Sequence, residues 1–161
     1  MSKKKKEKTN AIRLIEQHNI SYKEYEYSWN EEQLSAEHVA FELNQNIAKI
    51  FKTLVAVGNK TGTLVAVVPG DQELDLKKIA KASQNKKVDM LHLKDLEKTT
   101  GYIRGGCSPI GMKKKFPTYI DQSAKNFASI FVSAGKRGLQ IELSPEDLAN
   151  IVNGTFAEIT T

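Results

Sequence analysis

The hydrophobic pattern changes its period several times along the chain, and each change predicts an element. Ala11, Ile12, Leu14 and Ile15 recur at helical spacing, so a helix starts near Thr9 or Asn10. Residues 20–27 alternate Ile20, Tyr22, Tyr25 and Tyr27 with polar neighbours and read as a short strand. Ser35 is a candidate N-cap for a helix that turns Val39, Ala40 and Leu43 to one side. Residues 53–57 (TLVAV) and 63–68 (TLVAVV) are apolar almost without a break. Both read as strands covered on both faces, with the loop Gly58-Asn59-Lys60-Thr61-Gly62 making a hairpin between them. Asp75 caps a helix running to about Ser83, with Leu76, Ile79 and Ala80 inward.

From Gly101 to Gly111 the pattern dissolves into a glycine-rich irregular stretch. Strands then follow at Pro117–Asp121, Ser129–Val132 and Leu139–Leu143, the last two joined by Ser133-Ala134-Gly135-Lys136-Arg137-Gly138. The final helix has Ser144 as N-cap, Pro145 at its first position, Asp147 three residues after the cap, and Gly154 as its stop. Strands and helices alternate too irregularly for a doubly wound sheet. The order predicts an α+β fold, a mixed, curled, barrel-like sheet surrounded by helices.

At 161 residues there is room for one core, not two. The expected organisation is a basic, disordered tail over residues 1–8 and a single domain over residues 9–161. Hydrophobic residues are 40% and charged residues 27%, as in an ordinary soluble protein. The net charge is +5, but five lysines and one acid in residues 1–10 carry +4 of it, leaving +1 for the body. A nucleic acid would therefore meet a local patch rather than a uniformly basic surface. One cysteine, Cys107, rules out an internal disulfide. No apolar run approaches a membrane span, and the basic start is not followed by a signal-type apolar stretch. A cytoplasmic location is expected, with no membrane association.

The usual catalytic signatures are missing. There is no P-loop and no glycine fingerprint after a strand. His18, His38 and His92 lack ligand spacing, so neither metal nor cofactor is expected. No nucleophile elbow exists, and Ser108 precedes Pro109, against the strand-to-helix geometry such a serine needs. Without a neighbouring base, Cys107 is expected to be a structural thiol.

Three features remain. Lys52 interrupts the apolar run Ile50-Phe51-Lys52-Thr53-Leu54-Val55; it is either a strand-end lysine reaching water or a pocket cation for a phosphate or an anionic transition state. The loop Gly101–Gly111 holds four glycines, whose backbone amides can form an anion nest or oxyanion hole, or simply a tight turn. Lys113-Lys114-Lys115 and Lys136-Arg137 are basic turns suited to a phosphate backbone or to plain solvation. Among the nearby aromatics, Tyr27 or Trp29 could stack a base or edge a pocket.

Taken in order, several segments resemble one family: Phe51-Lys52-Thr53-Leu54, Leu74-Asp75-Leu76-Lys77-Lys78, Lys86-Lys87-Val88, Thr100-Gly101-Tyr102, Gly105-Gly106-x-Ser108-Pro109-x-Gly111 and Val132-Ser133-x-Gly135-Lys136-Arg137-Gly138-Leu139. They are similar to the YbaK-type Cys-tRNA(Pro) deacylases, within the prolyl-tRNA synthetase editing-like domains. The similarity runs from about residue 10 to residue 158. It implies cleavage of the ester between a mischarged amino acid and the terminal adenosine of tRNA. Catalytic positions would be Lys52, Gly105 and Ser133, and substrate-binding positions Tyr27, Thr53, Gly106 and Lys136. No protein nucleophile is implied: the substrate's own thiol would attack its ester carbonyl and leave as a thiolactone. The partners implied are tRNA and prolyl-tRNA synthetase. Departures from the family pattern fall at Leu34-Ser35-Ala36, at Gln140, where some members have an acid, and at Cys107, where others are apolar. Two other readings stay open: a non-catalytic tRNA- or synthetase-binding module, and a general nucleic-acid binder working through the lysine tail.

Overall fold

The computed structural model describes residues 8–161. The basic tail thus lies outside the described residues except for Lys8, whose ammonium pairs with Glu16 at 2.7 Å. The elements are α1 (Asn10–Gln17), β1 (Lys23–Glu26), α2 (Ala36–Leu43), β2 (Phe51–Gly58), β3 (Gly62–Pro69), α3 (Leu76–Ala82), β4 (Val88–Met90), α4 (Leu96–Thr100), β5 (Thr118–Asp121), β6 (Ile130–Ser133), β7 (Leu139–Leu143), α5 (Pro145–Val152) and β8 (Thr155–Ala157).

Two sheets form, where the sequence suggested one curled, barrel-like sheet. One has the order β1-β7-β6 and is antiparallel throughout; the other has the order β4-β2-β3-β5-β8. In the larger sheet β2 pairs antiparallel with β3 and β4, while β3-β5 and β5-β8 are parallel, so that sheet is mixed. A parallel bridge between Ile50 and Phe131 ties the start of β2 to β6. The sheets touch there without closing into a barrel.

The strand β3 shows why its sequence is apolar without alternation. Val65 and Val67 face one cluster with Ala11, Ile12 and Ile15 of α1 and Leu148 of α5. Leu64, Ala66 and Val68 face a second cluster with Ile79 and Ala80 of α3. Successive side chains of a strand point to opposite faces, and here both faces are covered. Each fully buried Leu, Val or Ile contributes about 1.5–3 kcal/mol. Its partner β2 is less enclosed, and Val57 remains exposed.

The caps fall where the sequence puts them. Thr9, Ser35, Asp75 and Ser144 each accept a hydrogen bond from a first-turn amide of the helix they begin. The last helix ends one residue earlier than its glycine suggested: Asn153 takes the left-handed conformation at φ 52°, and the Gly154 amide donates to the Ala149 carbonyl. The hairpin is also tighter than expected, because Gly58 and Gly62 pair and leave a three-residue loop. Strand β4, helix α4 and strand β8 have no counterpart in the sequence reading. Each is five residues or fewer, too short for a period to show.

Candidate functional site

The start of β2, the start of α2 and the glycine loop converge on a cavity of about 470 Å³. That size suits a small-molecule or nucleoside-sized group. Its formation begins with Gly70 after β3: a Cβ there would come within 2.5 Å of the Ala36 Cβ, so α2 can lie directly across the hairpin's end. The Gly70 amide donates to the Ile50 carbonyl at 2.7 Å and closes that end of the ladder. Ile50 and Phe51 are buried, and Lys52 next to them is half-buried at the cavity wall.

Lys52 has one hydrogen bond, from its Nζ to the Gly70 carbonyl at 3.3 Å. It forms no ion pair among the described residues. A half-buried ammonium at a cavity wall, whose one protein bond is long and made to a neutral carbonyl, is suited to receive an anion. Thr53, next along the strand, buries its Oγ1 with no partner, and so does Gln140 its Oε1. Both residues line the same cavity. Buried polar atoms are nearly always hydrogen-bonded, so two unpartnered oxygens on residues of one cavity wall are an exception that calls for a reason.

Gly105 lines the cavity in the left-handed conformation at φ 82°, and a Cβ there would press on the Leu34 side chain at 2.9 Å. Its N–H makes no hydrogen bond among the described residues. Ser133 lines the opposite strand pair, across from Gln140 in register, and its Oγ accepts from the Gly135 amide at 3.2 Å. Leu34, Leu54, Leu91 and Leu96 give the wall its apolar part, with Glu31, Glu32 and Glu37 at the loop and start of α2 and Arg104 and Cys107 from the glycine loop.

Four of the seven residues proposed from sequence, Lys52, Thr53, Gly105 and Ser133, therefore meet in one cavity; Tyr27, Gly106 and Lys136 are not among its lining residues. Gly106 is buried, its N–H is spent on the Ile103 carbonyl, and a Cβ would meet the Lys136 and Arg137 backbone at 2.9 Å. It packs the glycine loop onto the β6–β7 turn and offers no second amide for an oxyanion. Tyr27 packs with Val39, Ala40, Ile50 and Phe131 and sets its ring edge-on to His38 at 6.2 Å. Lys136 is exposed on the turn itself, as is the Lys113–Lys115 run elsewhere on the surface.

Sequence reasoning overlooked Arg104 as a lining residue and the unpartnered state of Thr53 and Gln140. A glutamine inside the apolar run Leu139–Leu143 was the available signal, since a buried strand position rarely takes an amide without a partner.

Cys107 also lines the cavity. Burial pushes its thiol up to about 12, and the Thr100 hydroxyl offsets this only in part. At neutral pH it is a protonated, unreactive thiol. No histidine lines the cavity to serve it or Ser133 as a base. Among the described residues no group of three or more His, Cys, Asp or Glu side chains could hold a metal, and no helix is long and apolar enough to cross a membrane.

Comparison with known proteins identifies the family. Residues 30–151 match the family described as the aminoacyl-tRNA editing domain. A protein of Enterococcus faecalis named "Putative Cys-tRNA(Pro)/Cys-tRNA(Cys) deacylase EbsC" is 67% identical over 162 aligned residues, covering 100% of this chain and 99% of that one. The proline–tRNA ligase of Brachyspira hyodysenteriae is 24% identical over 99 residues, covering 62% of this chain and 17% of the ligase. A solved structure titled as a "putative trans-editing enzyme for prolyl tRNA synthetase" superposes with a TM-score of 0.81 at 20% identity, over 97% of this chain and 99% of the other. With its two bridged sheets and its lysine-lined cavity, the chain belongs to the aminoacyl-tRNA editing domain family.

Proposed function

We propose that this chain is a trans-editing deacylase that removes cysteine from mischarged Cys-tRNA(Pro). The observation that carries the reading is one cavity lined by Lys52, an ammonium with no counter-ion among the described residues, by Gly105, whose amide is unengaged, and by Thr53 and Gln140, each with a buried oxygen that has no partner. An aminoacyl-adenosine ester supplies what each lacks. It brings a phosphate or oxyanion for Lys52, a carbonyl oxygen for the Gly105 amide, and an ammonium and ribose hydroxyls for Thr53, Gln140 and Ser133. The likeness to the Enterococcus faecalis protein supports cysteine as the amino acid.

The chemistry needs no protein nucleophile. The cysteinyl thiol attacks its own ester carbonyl, forming the carbon–sulfur bond and a tetrahedral oxyanion. Collapse breaks the bond to the ribose oxygen, which takes the thiol's proton. The products are a cyclic thiolactone and uncharged tRNA. A well-held intramolecular group reaches effective molarities on the order of 10⁵ M or more. The cavity's part is to hold that geometry and stabilise the oxyanion. Selectivity follows, because an alanyl or prolyl ester has no thiol to use.

The enzyme would act in the cytoplasm on tRNA presented with the help of prolyl-tRNA synthetase, since a body charge near +1 gives little intrinsic hold on RNA. The domain proposed over residues 9–161 carries this site.

The test is ester loss from tRNA(Pro) charged with cysteine, alanine or proline. Rapid loss from the cysteinyl species is expected, and Lys52→Ala, still folded, is expected to lose on the order of 10²-fold or more in kcat/KM. Binding of charged tRNA without ester loss would instead support a non-catalytic module. Full activity in a folded Lys52→Ala protein would remove the site.

A further inference from the structure

Beside the cavity lies an aromatic and basic shelf that the ester chemistry leaves unused. Trp29 is 43% exposed, an unusual setting for the largest apolar side chain. Its edge rests on Gly138, where a Cβ would come within 2.7 Å of Trp29 Cδ1. The Arg137 guanidinium lies 5.4 Å over its ring, and Arg137 Nε donates to the Arg104 carbonyl at 2.8 Å. Arg104 is itself part of the cavity wall. The shelf is therefore held to the rim twice: by that hydrogen bond, and by the close approach of Gly106 to the Lys136–Arg137 backbone.

Charge sets which way a polyanion would lie. Arg104, Lys136 and Arg137 form no ion pair among the described residues, although the body as a whole is close to neutral. The carboxylates nearby in sequence are Glu31 and Glu32, which follow Trp29 in its loop and line the cavity. A third, Glu42, accepts from the Ser28 amide at 3.2 Å, so the basic side of the shelf is the one that carries Arg104, Lys136 and Arg137.

We infer that Trp29 and Arg137 form a subsite for the unpaired nucleotides that precede the terminal adenosine of the acylated tRNA. A base stacks on the exposed part of the indole, and its phosphate meets Arg104 and Lys136. Indole stacking accepts any base, and a guanidinium already on the ring adds a cation without ordering a free side chain. The inference rests on the proposed deacylase reading and extends it from the reacting ester to the strand that delivers it.

The experiment compares two substrates, Cys-tRNA(Pro) and the 3′-O-cysteinyl ester of adenosine 5′-monophosphate. The second carries the terminal adenosine and one phosphate but no preceding nucleotide. In Trp29→Ala the ratio of kcat/KM for the long over the short substrate is expected to fall about fivefold or more. Arg137→Gln is expected to lower the same ratio and Trp29→Phe to keep most of it. If Trp29→Ala fails to fold, Arg137→Gln and Trp29→Phe carry the measurement. An unchanged ratio would overturn the subsite. So would equal losses on both substrates alongside a lowered Tm, which would make Trp29 a structural latch only. If the wild-type protein cleaves neither substrate, the deacylase reading itself falls, a result distinct from either.

Discussion

Thr53 is the residue where function and stability pull apart most clearly. Its buried hydroxyl has no partner, so it costs the folded protein the desolvation of a polar group, about 1–3 kcal/mol. Thr53→Val keeps the shape and removes the hydroxyl. The expected outcome is equal or greater stability in denaturant unfolding, with kcat/KM on charged tRNA falling several-fold. A loss of stability would mean the hydroxyl is satisfied within the fold and has no ligand to wait for. Cys107 supplies the opposite case, a side chain at the cavity without a chemical role. Its thiol stays protonated until about pH 12, and burial likewise pushes the Tyr102 phenol up to about 12. Cys107→Ser is expected to keep its deacylation activity. Both groups have folded values raised above their ordinary ones. Their contribution to stability is therefore complete below about pH 9 and lost as pH rises toward 12. A series of Tm values from pH 7 to 11 should decline at its alkaline end, and Cys107→Ser should flatten part of the decline.

Among the elements, the glycine loop shows how a segment without regular structure is held in place. Tyr102 donates to the Ile110 carbonyl at 2.6 Å across the loop, and Ser108 accepts from the Ile110 amide. Gly106 then sets the loop against the β6–β7 turn at a distance only hydrogen allows. Gly106→Ala is expected to cost about 1–3 kcal/mol and to shift Gly105 away from the cavity, lowering kcat more than it raises KM. A folded Gly106→Ala enzyme with unchanged kcat would show that the loop's position does not govern the chemistry. A second joint lies at β7, where Glu142 gathers the Tyr25 and Ser129 hydroxyls, with Lys49 at 4.0 Å. Burial pushes its carboxyl up, but those hydroxyls and Lys49 outweigh burial and hold it below its ordinary value. That network fastens β1 and β6 to β7 and so steadies the strands that carry Ser133 and Gln140.

For the molecule as a whole, the proposed catalysis is a problem of convergence. Lys52 comes from β2, Gly105 from the glycine loop, and Ser133 and Gln140 from the smaller sheet. The bridge between Ile50 and Phe131 brings the two sheets together at the cavity. Much of this architecture was legible in the chain's pattern. The capped helices follow from Thr9, Ser35, Asp75 and Ser144, and the central hairpin from two apolar runs around a glycine-bounded loop, because caps and periodicity are local properties. Lys52 stood out for the same reason, as a charge inside an apolar run. The elements β4, α4 and β8 were not legible: all three are short, and β4 and β8 form by pairing with strands distant in sequence. Nor could local pattern distinguish Gly105, which faces the cavity, from Gly106, which faces a turn thirty residues on. The sequence by itself determined the longer helices and strands and which residues carry charge within apolar surroundings, because short-range sterics and burial act on neighbours along the chain. The tertiary structure alone decided that there are two sheets, which polar atoms stay unpartnered and which residues share a cavity. Those depend on contacts between segments with no covalent record of their proximity.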